Sequence, residues 1–246
     1  MKIYKSIKDN SFAIYGLGLS GKSTLSFLKK KKVKKIYVWD DKKNLKSKKS
    51  LSFFKKSLGK VDYIVISPGI NFKKTKFKTI LKKYNKKIIT DLDLFYIQNP
   101  SVRSIMVTGT NGKSTTCKLI QHVFRLNKMN TLLGGNIGKP ILDLKIKKKS
   151  IIVIEASSFQ LFYSKFVKPT FAVILNITKD HLDWHGTTKN YQNSKFNIFT
   201  NQDMQDWALL GKKNHIKKFK SKTFRSKIIK VKANILKKKL KNCITN

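Results

Sequence analysis

The chain has 246 residues, with 55 Lys or Arg against 12 Asp or Glu, so its formal net charge is +43. Hydrophobic residues make up 40% of it, interrupted by only 12 glycines and 4 prolines, which excludes collagen-like and disordered classes. Its two cysteines give neither a disulfide framework nor zinc spacing. The first residues lack a signal-peptide cleavage site, and no apolar run approaches the roughly 20 residues of a membrane span. We therefore expect a cytoplasmic protein without a membrane span.

The net charge favours a polyanionic partner such as nucleic acid, but the composition of the basic residues argues against a dedicated nucleic-acid site. Only Arg103, Arg125 and Arg225 are arginines, whereas nucleic-acid surfaces use arginine for bidentate contacts. Lysine is spread from Lys2 to Lys241. We therefore interpret most lysines as solvated surface and expect no dedicated nucleic-acid partner. A basic phosphate-loop protein acting on DNA or RNA remains an alternative.

Short, continuous apolar runs recur along the chain and predict strands buried on both faces. Together with helical patterns at Ser23–Lys32 and Thr115–Asn127, they indicate an α/β fold with parallel sheets. In the second helix Leu119, Ile120, Val123 and Phe124 are expected to face inward. Beyond Trp207 the pattern weakens and no element is predicted. The predicted strands are Phe12–Tyr15, Ile36–Trp39, Tyr63–Ile66, Ile88–Ile89, Ile105–Val107, Ile151–Ile154 and Phe171–Leu175.

The first strand runs into GLGLSGKST, residues 16–24, which fits both a dinucleotide-type and a P-loop pattern. Glycines let the backbone approach a phosphate, and the helix start that follows presents free N–H groups to an anion. The next strand ends at Trp39-Asp40-Asp41, where a dinucleotide fold places its ribose-binding acid. The alternative is a tight strand–helix turn without a ligand.

A second loop, VTGTNGKST at 107–115, follows the strand at Ile105. It fails the strict P-loop pattern because Val107 occupies the first glycine position. We nevertheless place ATP here, because only this half supplies magnesium ligands from other strand ends. Since each half carries one such loop, we divide the chain into domains 1–92 and 93–246, with Asn99-Pro100 interpreted as a turn.

Acidic residues and histidines follow two strands of the second half. Glu155 is the only glutamate in the chain and comes directly after Ile151–Ile154, which suits a Mg²⁺ ligand. Asp180, His181, Asp183 and His185 follow Phe171–Leu175, at the edge where open α/β sheets bind ligands. A helix-capping or solvated acid is the alternative for Glu155.

These residues and their order resemble the Mur ligase family, and within it the enzymes that add D-glutamate. The resemblance covers about residues 12–202 and rests most specifically on GTNGKST together with EASSFQL. The matching motifs are GLGLSG (16–21), SPGI (67–70), GTNGKST (109–115), GGNIG (134–138), EASSFQL (155–161), NITKDHLDWHG (176–186) and YQNSKFNIF (191–199).

The resemblance implies that the first domain is Rossmann-like and holds a UDP-sugar rather than NAD or ATP. The second domain, of the P-loop ATPase type, would bind ATP through the loop that spans Gly109, Thr110, Asn111, Gly112, Lys113, Ser114 and Thr115. The residues expected to bind substrate are Leu19, Ser20, Asp40, Ser67, Pro68, Gly69, Asn136 and His181.

By the same resemblance the catalytic residues are Lys113, His181 and Lys195, and two Mg²⁺ ions are expected. Ser114 and Glu155 would hold one ion, with His181 and Lys195 on the second. Lys195 matches a lysine that is carbamylated in the family, and the alternative is one more surface lysine. Lys22 is a departure from the family pattern that we expect beside the diphosphate.

The implied reaction is ATP-dependent ligation. ATP phosphorylates the carboxylate of UDP-N-acetylmuramoyl-L-alanine, and the amine of D-glutamate attacks the acyl phosphate, in peptidoglycan precursor synthesis. We expect a monomer. We expect no counterpart of the family's C-terminal domain in these 246 residues, and we expect the second domain to end early. A fragment that binds UDP-sugar or ATP without joining the amino acid is therefore the alternative.

Overall fold

A computed structural model describes residues 6–42, 48–71 and 74–231 of the chain. The segment from 232, which includes the Ile235-Leu236 group and Cys243, lies outside these residues. Within them, two parallel sheets carry helices in an α/β arrangement, which confirms the predicted fold class.

The first sheet has four short strands in the order β2-β1-β3-β4, all parallel. Its inner strands β1 and β3 are buried at every residue, which explains why they appear in the sequence as unbroken apolar runs. All four match the predicted strands. The elements of this half are β1 (Phe12–Tyr15), α1 (Leu19–Lys30), β2 (Ile36–Trp39), α2 (Lys48–Lys60), β3 (Tyr63–Ile66), α3 (Lys78–Lys83) and β4 (Ile88–Ile89).

The second sheet has six parallel strands in the order β10-β9-β8-β5-β7-β6. Val107 of β5 lies opposite Glu155 of β7, which in turn lies opposite Gly135 of β6, so the three strands end side by side. The elements are α4 (Asp91–Gln98), β5 (Arg103–Thr108), α5 (Lys113–Leu126), β6 (Thr131–Gly135), β7 (Ile151–Glu155), α6 (Ser158–Tyr163), β8 (Phe171–Ile174), α7 (Leu182–His185), α8 (Thr188–Phe196), β9 (Trp207–Leu210), α9 (Lys213–Lys220) and β10 (Lys227–Lys230).

The two faces of the second sheet are packed differently. Ala172 and Ala208 belong to the larger core cluster on one face, together with apolar residues of α6, α8 and α9. On the other face Val107, Val153 and Val173 form a small cluster with Cys117 of α5. The apolar surface on this second face is therefore covered mainly by one helix.

The orientation predicted for α5 was partly wrong. Cys117 is buried and Ile120 packs against the sheet, but Leu119 and Val123 are 58% and 54% exposed. The helix carries apolar residues on two sides of its surface, and only the side with Cys117 and Ile120 lies against the strands. Spacing alone does not tell which side is buried when both are apolar.

Helix α4 connects the two sheets, so the predicted boundary between 92 and 93 falls inside a helix. Thr90 caps this helix: its hydroxyl accepts from the amide of Asp93, whose carboxylate accepts in return from the amide of Thr90. The halves also touch through side chains. Ser23 of α1 donates to the carboxylate of Asp143 at 2.8 Å. The division into domains 1–92 and 93–246 itself stays a prediction.

Candidate active site

The second phosphate loop joins β5 to α5 and leaves the start of the helix open. Gly112 precedes α5 with φ of +83° and offers no side-chain cap, so the first N–H groups of the helix remain available to an anion. The loop is held by hydrogen bonds to Asn176, which follows β8. The Thr110 amide donates to the carbonyl of Asn176 at 2.8 Å, and the Asn111 amide donates to the Asn176 side chain at 3.0 Å.

Three of the predicted site residues meet at the shared ends of β5, β6 and β7. The Ser114 hydroxyl donates to Glu155 Oε2 at 2.7 Å, and the Asn136 amide donates to Glu155 Oε1 at 2.8 Å. Glu155 is buried, and the hydrogen bonds that its carboxylate accepts from the described residues come from neutral donors. Glu155 is therefore neither a helix cap nor a solvated acid.

Lys195 is not the surface lysine of the alternative interpretation: it is 2% exposed. Its amine donates to the carbonyl of Gly109 at 2.8 Å and lies 4.6 Å from the centre of the Tyr191 ring. Burial and the nearby charge of Lys113 lower the pKa of Lys195 to about 7. The amine of Lys113 itself donates to the carbonyl of Thr110 at 2.8 Å, so both lysines lie along the same loop.

His181 directly precedes helix α7. Its backbone is left-handed, with φ of +50°, and its side chain is 46% exposed. The ring lies 4.8 Å from that of Phe159 and 6.2 Å from that of Tyr191, with Nε2 3.4 Å from the Asp180 carboxylate. Among the described residues, no hydrogen bond joins His181 to Ser114, Glu155 or Lys195. Thr115, the residue that follows Ser114 on α5, is exposed.

The first phosphate loop is tightly packed. Gly16 has φ of +96°, and its carbonyl accepts from the Ser67 hydroxyl at 2.9 Å. A Cβ at Gly21 would lie 1.9 Å from the Gly16 carbonyl oxygen, which explains the glycine there. Gly18 precedes α1 without a side-chain cap, so the start of this helix is also open to an anion.

A cavity of about 540 Å³ lies beside this loop and is lined by both halves of the chain. Of the predicted substrate residues it includes Asp40, Ser67 and Gly69, together with Asp183 and Trp184 of α7. Four other predicted residues are close in sequence to the lining residues but do not line the cavity themselves: Leu19, Ser20, Lys22 and Pro68. A larger cavity of about 700 Å³ lies at the opposite edge of the second sheet, against Arg103 and Ser150, away from every predicted site residue.

The Asp40 carboxylate holds the loop itself: it accepts from the amides of Leu17 and Lys42. Asp41, which the sequence places at the same strand end, was not among the predicted substrate residues, although it also lines the cavity. Its carboxylate accepts from the Tyr15 hydroxyl and from the indole of Trp39, and Lys76 lies 3.0 Å away. These donors lower the pKa of Asp41 against the effect of its partial burial. The adjacent acids at 40 and 41 were the available signal.

The Ser114–Glu155 pair fits one Mg²⁺ ion, because Mg²⁺ is bound in such sites by one or two carboxylates together with substrate phosphates. Lys195 fits a cation only after conversion of its amine to a carbamate, since an ammonium repels a metal. The described residues contain no group of three or more His, Cys, Asp or Glu side chains placed to hold a metal. The same part of the chain has no helix long and apolar enough to cross a membrane.

Residues 107–244 match the family model described as the Mur ligase middle domain, and residues 10–90 match that of the MurD-like N-terminal domain of Mur ligases. The chain belongs to the Mur ligase family. Its two phosphate loops thus fall one in each of two Mur ligase domains.

Several Mur ligases named UDP-N-acetylmuramoylalanine--D-glutamate ligase are similar to this chain. The enzyme of Aquifex aeolicus is 36% identical over 81% of the chain, and that of Rickettsia felis is 38% identical over 82%. The chain spans 46% of the length of each. The Clostridioides difficile enzyme is 34% identical over 91% of the chain, which spans 52% of that protein.

A solved Mur ligase structure has the same fold. The Neisseria meningitides UDP-N-acetylmuramate:L-alanyl-gamma-D-glutamyl-meso-diaminopimelate ligase matches with a TM-score of 0.53 at 15% identity. The match covers 89% of this chain and 77% of that one. The paired arrangement of two α/β units is therefore shared with another Mur ligase.

Proposed function

We propose that this chain supplies the UDP-sugar and ATP sites of an ATP-dependent ligase that adds D-glutamate to UDP-N-acetylmuramoyl-L-alanine. The observation that carries this proposal is the contact of 2.7 Å between Ser114 and Glu155 beside the open start of α5. It brings a hydroxyl, a carboxylate and a cluster of free N–H groups to one point, as a Mg²⁺–nucleotide requires. The similarity to D-glutamate ligases supports the choice of amino acid.

In this proposal each phosphate loop binds a different anion. The loop at Gly109 and the start of α5 hold the phosphates of ATP, with the Lys113 ammonium on the β- and γ-phosphates. The loop at Gly16 and the start of α1 hold the diphosphate of the UDP-sugar. The cavity beside the first loop is lined from both halves, so the lactoyl-alanyl end of the substrate can extend from Asp40 towards α7.

Ser114 and Glu155 would hold one Mg²⁺ ion, and His181 with a carbamylated Lys195 would hold the second. Bound Mg²⁺ would neutralise the charge that builds up between phosphate and carboxylate. The chain's own part is to orient the two anions and to stabilise the transferred phosphoryl group through Lys113 and the loop amides. Asn136, which donates to Glu155, would orient both the carboxylate and the substrate.

The overall reaction balances as an acyl transfer. The substrate carboxylate attacks the γ-phosphorus of ATP, which gives an acyl phosphate and releases ADP. The D-glutamate amine then attacks the acyl carbon, phosphate leaves, and the amine loses a proton. Since a UDP-sugar and ATP are cytoplasmic metabolites, we place this reaction in the cytoplasm.

A second candidate is a binding module that does not join the amino acid. The chain spans 46% of the length of two similar ligases, and a binding module would use the same described residues at both anion sites. The two candidates share both binding sites and differ only in turnover.

Calorimetry on the 246-residue chain with UDP-N-acetylmuramoyl-L-alanine and with Mg²⁺–ATP tests the two sites. Both ligands are expected to bind, and the absence of binding by either would refute the proposal. D-glutamate-dependent phosphate release is then measured on the same chain. Release supports the ligase, and binding without release supports the module.

A further inference from the structure

His185 is a buried histidine that the proposed chemistry does not use. It is the last residue of α7 and is 1% exposed. Its Nε2 lies 3.0 Å from the Ser158 hydroxyl at the start of α6, and its Nδ1 lies 3.3 Å from the Ser194 hydroxyl on α8. The ring is stacked on that of Phe159, with 5.6 Å between the ring centres and 5° between their planes. One buried side chain therefore joins three helices.

The direction of these hydrogen bonds follows from the other partner of Ser194. Its hydroxyl donates to the carbonyl of Asn190 at 2.8 Å. A serine hydroxyl has a single hydrogen, so Ser194 is left to accept from His185, and Nδ1 of the ring has to carry the hydrogen. In a neutral imidazole Nε2 is then the acceptor, and it faces the hydroxyl of Ser158. Burial favours the neutral ring, because a charged group loses more hydration than a neutral one.

The corner between α7 and α8 is closed by a further contact. The side-chain amide of Asn190 donates to the backbone carbonyl of His185 at 3.0 Å, while the backbone carbonyl of Asn190 accepts from Ser194. Ser194 is itself 2% exposed. Buried Ser194 is thereby held from both sides, by the imidazole of α7 and by the preceding turn of its own helix.

Lys195 follows Ser194 directly on α8, so its position depends on where this helix lies. Its buried amine donates to the carbonyl of Gly109 at 2.8 Å. A long side chain with several rotatable bonds reaches one buried carbonyl reproducibly only when its helix is fixed. On the other side of the imidazole, α6 begins three residues after Glu155. His185 therefore connects the segment that follows Glu155 with the helix that carries Lys195.

We propose that His185 is the positioning residue for Lys195. As a neutral ring with its hydrogen on Nδ1, it accepts from Ser158 and donates to Ser194. These two bonds fix α8 at the place where the Lys195 amine reaches the carbonyl of Gly109. The hydrogen bonds do not depend on a ligand, whereas the importance of Lys195 for a second Mg²⁺ ion rests on the proposed function.

Histidine ¹⁵N NMR on the ligand-free full chain tests the state of the ring. The signals of His185 are assigned by their loss in His185→Asn. We expect them to show hydrogen on Nδ1 and none on Nε2. The opposite tautomer or the doubly protonated imidazolium would overturn the proposal, because neither combines donation to Ser194 with acceptance from Ser158.

Two substitutions separate donation to Ser194 from the mere presence of a polar side chain. The amide of asparagine lies near the position of Nδ1, and that of glutamine lies near Nε2, so only His185→Asn keeps a donor for Ser194. The measured quantity is the rate at which formaldehyde and cyanoborohydride methylate Lys195, followed by peptide mass spectrometry. Since one hydrogen bond is lost, we expect His185→Gln to raise this rate about five- to tenfold and His185→Asn to stay within about twofold of wild type.

Alkylation of Cys117 is the matched control for a general loosening of the fold. Cys117 is buried on the face of the second sheet opposite to the core cluster that contains residues of α8. Its alkylation rate is expected to stay the same in all variants. Ser194→Ala removes the same hydrogen bond from the other side and covers the case in which His185→Gln does not fold. It is expected to raise the methylation rate of Lys195 as much as His185→Gln, with no further rise when the two are combined.

Equal rates in His185→Asn and His185→Gln would overturn the proposal, whether both rise or neither does. A parallel rise in Cys117 alkylation would also overturn it, because His185 would then support the fold as a whole. Failure of the wild-type chain to bind Mg²⁺–ATP would refute the proposed function. It would leave the role of His185 to the NMR and methylation results, which are obtained without ligand.

Discussion

The amine of Lys195 donates a hydrogen bond of 2.8 Å to the carbonyl of Gly109, the glycine at the start of the second phosphate loop. This bond fixes a buried lysine against the loop that we assign to ATP. Because burial and Lys113 lower its pKa to about 7, much of the amine is neutral near neutral pH. A neutral amine is the form that reacts with carbon dioxide, which makes Lys195 a chemically suitable site for a carbamate.

We predict that Lys195 is carbamylated in the presence of bicarbonate. The chain incubated with ¹³C-labelled bicarbonate is expected to show a carbamate carbonyl resonance by NMR, and Lys195→Met is expected to lose it. Lys189→Met is the matched control, since Lys189 lies on the same helix but is exposed. A signal that survives in Lys195→Met, or is absent from wild type, would contradict the prediction.

Glu155→Gln is expected to weaken Mg²⁺–ATP binding by about ten- to 100-fold, the range for loss of one interaction with a charged group. Glutamine keeps the shape and an acceptor for Ser114 but removes the charge that a cation needs. Calorimetry with and without EDTA checks this, and the affinity for UDP is expected to stay unchanged. With EDTA, the affinities of wild type and variant for ATP should become equal. A difference in affinity that persists with EDTA would show that Glu155 acts without a metal.

Gly21→Ala is expected to destabilise the fold by about 2–3 kcal/mol, the usual cost of overpacking. Its Cβ would lie 1.9 Å from the Gly16 carbonyl oxygen, and the backbone would have to move. Gly18→Ala is the control in the same loop, because no atom lies within 4 Å of the added Cβ and φ is −66°. Urea unfolding measures both, and equal stability of the two variants would refute this account of the loop.

Asp93 is expected to make a contribution to stability that decreases as the pH rises from about 4 to 6. Burial raises the pKa of Asp93 from 3.8 to about 6, against the hydrogen bonds from Phe166, Thr90 and Lys165. The folded chain therefore binds more protons than the unfolded chain in this range, and the free energy of unfolding decreases with pH. The loss from this group is at most about 3 kcal/mol.

Urea unfolding between pH 4 and 7 checks this pH dependence. In Asp93→Asn the free energy of unfolding is expected to decrease less steeply with pH, by a slope that corresponds to at most one bound proton. The variant is expected to be less stable overall, because the amides of Thr90, Lys165 and Phe166 donate to the carboxylate oxygens of Asp93. An unchanged slope in Asp93→Asn would show that this acid is ionised across the whole range. Asp91 contributes with the same sign, since its pKa is raised as well.

The sequence predicted best the elements whose signal is local. Buried parallel strands such as Tyr63–Ile66 are short, continuous apolar runs between polar residues, a pattern that is typical of a strand covered on both faces. The contact between Ser114 and Glu155 also followed from the sequence, because Glu155 stands at a strand end and the loop after the neighbouring parallel strand leads into the helix that carries Ser114.

The missed elements have weak local signals. The strand Thr131–Gly135 ends in two glycines, and Lys227–Lys230 has a lysine at each end, so neither appears as an apolar run. The contacts of His185 depend on how α6, α7 and α8 pack together, and spacing along the chain carries no such information. The exposed side of α5 was assigned inward for the same reason.

That exposed side has a consequence for how the protein behaves in solution. Leu119, Val123 and Leu126 recur at helical spacing on α5, and Leu126 is 70% exposed. With a net charge of +43, separate copies repel one another at low ionic strength. At about 1 M salt the screening length shrinks to about 3 Å, and the repulsion no longer keeps two such stripes apart. Added salt, which commonly helps to keep basic proteins dispersed, is therefore expected to promote self-association of this one.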